Sequence, residues 1–159
     1  MKIRRATLAE APLIAELILE LALFEKAPES AQASLADISG AFFCAHPAVF
    51  CDFIEDEAGM VQGFAIWFLN YSTWTGTHGI YLEDLFIRAQ ARGNGYGKAM
   101  LQHLAALCVE RGYHRLQWWV LDWNTSAIEF YQGFGAQLMD EWTTMRVEGA
   151  ALTRLSVER

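Results

Sequence analysis

Apolar residues recur along this chain in two kinds of run. Leu13, Ile14, Leu17, Ile18 and Leu21 return every three or four residues, giving a helix one apolar face that runs to about Phe24. Thr7 with Glu10 forms a capping-box pair ahead of it, and Pro12 draws the true first turn nearer to itself. Ser34-x-x-Asp37 opens a second, shorter helix that ends before His46-Pro47. Shorter β-rich runs, Ile3 to Ala6, Val49 to Ile54, Gly63 to Leu69 and Gly79 to Ile87, are expected as strands. Asp56-Glu57-Ala58-Gly59 reads as a hairpin turn, and Asn70 to Thr77 as a loop carrying Tyr71 and Trp74. Helical spacing returns at Met100, Leu101, Leu104, Ala105 and Cys108 and stops at Gly112. Leu116 to Leu121 is an apolar strand, and Asn124 caps a short helix through Phe130 and Tyr131 that Gly133 and Gly135 end. Ala136 to Met139 and Trp142 to Val147 are expected as a last pair of strands.

This order implies a mixed α/β sheet with a helix on each face. The helix between Ile87 and Leu116 makes the flanking strands parallel neighbours, while the earlier hairpins are antiparallel. A ligand would sit outside the strand ends where neighbours separate. With no linker or repeat, residues 1–159 are expected to form a single domain.

Composition narrows the class. A hydrophobic content of 53% and 13% aromatics exclude a disordered chain. No apolar run approaches the roughly 18 residues of a membrane span, and the amino terminus lacks a secretory h-region, so no membrane partner and a cytoplasmic location are expected. Cys44, Cys51 and Cys108 have no paired spacing, which suits a reducing compartment. His46, His78, His103 and His114 form no ligand pattern, so no metal is expected. A net charge of −7 argues against a nucleic-acid partner and points weakly to cationic ligands.

The most informative stretch joins the Gly79–Ile87 strand to the following helix through Arg92-Gly93-Asn94-Gly95-Tyr96-Gly97-Lys98. Glycines let such a loop take positive φ, and the helix N-terminus offers free N–H groups and a positive dipole end to a phosphate or pyrophosphate. The loop is neither a Walker A, which needs Gly at Arg92 and Ser or Thr at Ala99, nor a dinucleotide fingerprint, which needs a third glycine at Lys98.

Two carboxylates interrupt the apolar strand just upstream, at Glu83 and Asp84, and strand alternation sends them to opposite faces. Each needs a partner if buried. Glu83 either makes a structural hydrogen bond or meets a cationic amine and, through water, takes its proton; Asp84 reads more simply as structural. Tyr131 lies on the face of Asn124, about two helical turns on, as a core aromatic or as a proton donor at a cofactor cleft.

Arg92-x-x-Gly95-x-Gly97 after a strand resembles the acetyl-CoA pyrophosphate loop of the GNAT N-acetyltransferase superfamily. With Phe24-Glu25, Tyr71-Ser72-Thr73-Trp74, Tyr81-Leu82-Glu83-Asp84 and Leu121-Asp122-Trp123-Asn124 to Tyr131, the chain resembles the diamine (spermidine/spermine) acetyltransferases and the thialysine Nε-acetyltransferases over about Ile3 to Arg146. That resemblance implies a GNAT-like, mostly antiparallel sheet whose parallel pair splays to form the acetyl-CoA cleft, with no metal. It implies that Leu85, Phe86 and Ile87 bind pantetheine through their backbone and that Arg92, Gly93, Asn94, Gly95, Tyr96, Gly97 and Lys98 hold the pyrophosphate. Asn124, Thr125, Ser126 and Ala127 would contact the rest of the cofactor. Tyr131 corresponds to the general acid, and Phe24, Glu25, Trp74 and Glu83 to the amine-binding positions. The implied reaction is direct acetyl transfer to a small primary amine by a homodimer. Ser72 stands where polyamine enzymes carry an acidic residue, which favours the thialysine branch. Another acceptor, or an acyl-CoA sensor without turnover, remains an alternative.

Overall fold

The computed structural model describes residues 1–157. It divides into two compact units, Met1–Trp119 and Val120–Arg159.

The first unit is built on a five-stranded sheet in sequential order: β1 (Lys2–Arg5), β2 (Val49–Glu55), β3 (Val61–Ser72), β4 (Thr77–Ile87) and β5 (Leu116–Trp118). The first three pairings are antiparallel, and β4 with β5 is parallel. The mixed sheet expected from the sequence is therefore present. The Asp56 turn forms as expected, with Asp56 Oδ1 accepting from the Ala58 and Met60 N–H groups at 2.9 Å each.

Helix α1 (Ala11–Phe24) and α2 (Leu35–Phe42) cover one face. Ile14, Leu17 and Ile38 meet Cys51, Phe53, Phe64, Ile66 and Phe86 there in one buried cluster. Thr7 and Glu10 do form a capping box, but it opens a 3-10 turn, Leu8–Glu10, and α1 starts only at Ala11, with Pro12 in its first turn. Arg4 ties that box to the sheet, donating to Glu10 at 2.6 and 2.8 Å and to Glu55 at 2.6 Å.

Helix α3 (Tyr96–Glu110) covers the other face. Asp52, next to Phe53 and so pointing the opposite way, accepts from the Trp67 indole at 2.7 Å and faces His103 of α3 at 3.4 Å. Gly112, at φ 66, ends α3 as expected.

Three sequence expectations within this unit change. The loop foreseen from Asn70 to Thr77 is mostly strand: pairing continues through Tyr71↔His78 to Ser72↔Thr77, because the longer ladder satisfies backbone groups that an open loop would leave to water. β5 stops at Trp118 rather than Leu121. Most consequentially, the regular alternation that sends Glu83 and Asp84 to opposite faces is interrupted at Glu83. Ile66 pairs with Asp84 but Trp67 pairs with Leu82, so Glu83 is the extra residue of a β-bulge. Leu82, beside Trp67, belongs to the α3 face, whereas Asp84, beside Ile66, and Phe86, beside Phe64, belong to the α1 face. Tyr81, beside Phe68, also belongs to the α1 face, and Glu83 stands unpaired between Leu82 and Asp84.

The second unit contains α4 (Thr125–Gln132) and a helix not foreseen, α5 (Gly149–Val157). The strands expected at Ala136 to Met139 and Trp142 to Val147 do not form; residues 136–148 hold no strand. Strand propensity alone cannot fix a strand without a neighbour to pair with, and the apolar side chains there stay open, Met145 at 87% exposure.

Candidate active site at the β4 bulge and the glycine loop

Pairing between β4 and β5 runs from Ile80↔Leu116 to Leu82↔Trp118, while β4 continues to Ile87. The parallel pair therefore parts at the bulge, and Leu85, Phe86 and Ile87 lie beyond it. A backbone freed from one neighbour at that point can hydrogen-bond an extended ligand.

The glycine loop follows directly. Gly93 and Gly95 both sit at φ +81, and a Cβ at either would meet nothing within 4 Å, so the backbone conformation and not packing calls for glycine. Gly95 is the N-cap of α3, no side chain caps the helix, and its first turn has no acidic residue. Those first N–H groups are oriented for an external anion such as a diphosphate. Asn94 Nδ2 fastens the loop to the Ala91 carbonyl at 3.1 Å. Tyr96, Gly97 and Lys98 already belong to α3, so of the three glycines only Gly93 and Gly95 shape the bend.

Arg92 brings the loop to the end of α1. Its Nε donates to the Ile87 carbonyl at 3.0 Å and its guanidinium lies 4.3 Å from the Phe24 ring centre. Arg88, at the end of β4, reaches back to α1 through Glu16 and through Glu20 at 3.0 Å. Neither contact to α1 was legible in the sequence, since nothing local pairs residues so far apart.

Glu25 caps the C-terminus of α1, where the helix dipole is negative and the last turn carries no basic residue. Burial raises the Asp84 carboxyl to about 7, with the Glu83 and Glu25 charges adding to the shift, and desolvation also raises Glu25. Among the described residues none of these three carboxylates has a hydrogen bond or an ion pair. Arg4, Arg5 and Arg88 each pair with carboxylates elsewhere. The sequence favoured a structural role for Asp84; two adjacent acids in an apolar strand were the signal that regular alternation could fail there.

Trp74 is not brought to this cluster. It stands at the β3–β4 hairpin tip at 89% exposure, and the run of β4 from Thr77 to Glu83 puts it about 20 Å from Glu83 in the same chain.

In the second unit Asn124 caps α4, its side chain accepting from the Ala127 N–H at 3.4 Å, and Ser126 Oγ donates to the same oxygen at 3.3 Å. Thr125 opens the helix. Tyr131 is half-buried on α4, its ring centre 5.4 Å from that of Phe130, and burial raises its phenol above the ordinary value.

Residues 15–136 match the model of the acetyltransferase (GNAT) family. The chain belongs to that family. GNAT enzymes take acetyl-CoA as co-substrate, and this one is an N-acetyltransferase by descent. It is 32% identical to the thialysine Nε-acetyltransferase of Mus musculus over 98% of this chain and 96% of that one. It is 40% identical to an L-ornithine N5-acetyltransferase of Arabidopsis thaliana, over 63% of this chain and 45% of the plant enzyme. In fold the chain is similar to an integron cassette protein from the mobile metagenome of V. cholerae, with a TM-score of 0.82 at 27% identity, over 99% of this chain and 98% of that one. Among the described residues no helix is long and apolar enough to cross a membrane.

Proposed function

We propose that this protein transfers the acetyl group of acetyl-CoA directly to the primary amine of a small molecule, a thialysine-like amino acid or a diamine. The observation that supports this reading is the set of Glu25, Glu83 and Asp84 near the negative end of α1, none of which has an ion pair among the described residues. Buried or crowded carboxylates need a counter-charge, and an incoming alkylammonium supplies it. The relatives that act on thialysine and ornithine, both carrying a terminal amine, favour the same class.

In this reading the first-turn N–H groups of α3 with Arg92 and Lys98 receive the diphosphate. Leu85 to Ile87 line up the pantetheine, and Asn124 to Ala127 contact the rest of the coenzyme. Phe24 and Glu25 join Glu83 in holding the amine. An alkylammonium of pKa about 10.4 costs about 4.6 kcal/mol to present as free base at pH 7, so deprotonation needs a base. The amine nitrogen then attacks the thioester carbon, a backbone N–H near Leu85 stabilises the oxyanion, and Tyr131 protonates the departing thiolate. A cytoplasmic homodimer belongs to the same reading, and the exposure of Trp74 and its distance from Glu83 support a dimer in which the hairpin tip serves a second copy.

Thiol release from acetyl-CoA across thialysine, lysine, ornithine, spermidine and an aminoglycoside tests the reading. We expect turnover strongest with thialysine and lost by at least tenfold in Tyr131→Phe with coenzyme affinity kept. Coenzyme binding without thiol release on any amine would instead favour a sensor.

A further inference from the structure

The bulge that separates β4 from β5 also sorts the two adjacent carboxylates into different surroundings. Glu83, the extra residue, is solvent-exposed, while Asp84 is largely enclosed on the α1 face, paired with Ile66 and one residue before the stretch that leaves β5. The groups whose charge bears on Asp84 are Glu83 on its own strand, Glu25 from the end of α1 and the Cys51 thiol from β2; the Arg92 guanidinium, on the same face 5.7 Å from the Phe86 ring centre, donates to the Ile87 carbonyl and makes no ion pair with Asp84. We propose, on the basis of the acetyltransferase reading above, that Asp84 rather than Glu83 accepts the proton of the bound ammonium, while Glu83 and Glu25 hold that cation in place.

The chemistry follows from crowding. Three carboxylates in one neighbourhood resist full ionisation, so the most enclosed of them keeps a proton most readily and becomes the strongest base of the set. An acid titrating near neutrality is suited to general base work at neutral pH. The ammonium nitrogen loses two protons overall. The first passes to an Asp84 oxygen, directly or across one water, and frees the lone pair that forms the C–N bond at the thioester carbon. The C–S bond breaks with its electron pair leaving on sulfur, and the second proton departs the tetrahedral intermediate and ends, by way of Tyr131, on that thiolate. Asp84 then returns its proton to solvent. Glu83, open to water, steers and orients the incoming cation instead.

The test is the pH profile of kcat/KM for thiol release with the best amine, in wild type, Asp84→Asn and Glu83→Gln, beside calorimetry of coenzyme A binding. We expect Asp84→Asn to lose 10²-fold or more in kcat and to lose the limb rising through pH 7, with coenzyme affinity unchanged. Glu83→Gln should raise the KM for the amine and keep the limb, moved to lower pH because a neighbouring negative charge is gone. An Asp84→Asn enzyme with wild-type kcat and profile, or a limb that vanishes in Glu83→Gln instead, would overturn the assignment while leaving the acetyltransferase reading intact. Wild-type protein that binds coenzyme A and turns over no amine would end both.

Discussion

The Trp67 indole N–H donates to the Asp52 carboxylate at 2.7 Å in the interior between the sheet and α3, where Asp52 is only 2% exposed. Burial pushes the Asp52 carboxyl up, but the hydrogen bonds from His103 and Trp67 and the nearby Arg5 guanidinium outweigh it and hold it below its ordinary value. Asp52→Ala leaves the indole donor and Arg5 without their acceptor and should cost about 2–4 kcal/mol in urea unfolding at pH 7. Asp52→Asn keeps an acceptor and should cost less. Because the folded value is lowered, this stabilisation is present above the unfolded pKa and fades on acidification, so the gap between wild type and Asp52→Asn should close at low pH. A gap that widens there would refute the account.

Gly63 is paired with Ile87 at the root of the proposed cleft, and a Cβ there would stand 2.3 Å from the Phe86 carbonyl oxygen. Backbone in a sheet cannot yield that far. Gly63→Ala should therefore cost several kcal/mol, on the order of a severe overpacking mutation, and weaken coenzyme binding as well. A melting temperature within a degree of wild type would show that β3 and β4 can separate cheaply.

The C-terminus of α1 forms a Schellman closure: the Ala27 N–H reaches the Ala22 carbonyl at 2.9 Å and the Lys26 N–H the Leu23 carbonyl at 3.2 Å. Lys26 sits at φ 61, where a residue with a Cβ is strained. Lys26→Gly relieves that strain and should raise stability by about 0.5–1 kcal/mol, read as a higher urea midpoint at unchanged slope. A lower midpoint would mean the Lys26 side chain contributes more than its backbone costs.

Asp84 carries an opposite signature to Asp52. Its folded pKa of about 7 stands above the ordinary 3.8, so the folded state holds the proton longer than the unfolded chain does. Stability should then fall as pH rises from about 4 to about 7 on this group's account. Asp84→Asn removes the penalty, so it should melt higher than wild type at pH 8 and nearly level with it at pH 4. Equal shifts at both values would place the carboxyl in water.

The amino-acid order by itself determined the family and most of the helices and strands of the first unit. Local rules sufficed: the apolar stripe of α1, the Asp56 turn, the helix after Gly95 and its stop at Gly112 are each set by neighbours within a few residues. The glycine loop was legible for the same reason, since left-handed φ at Gly93 and Gly95 is a local demand.

Tertiary structure alone decided how the side chains around the bulge are placed. Alternation along β4 assigns Glu83 and Asp84 to opposite faces, and only pairing with β3 introduces the bulge that interrupts that alternation. Glu25 joins them because α1 ends above that strand, and Arg92 meets Phe24 through the same packing. The missing strands after Ala136 teach the converse: a strand exists by its neighbour, and no local pattern supplies one. Periodicity encodes what a segment becomes, whereas the environment of a charge depends on residues far away in sequence, which only the folded chain brings near.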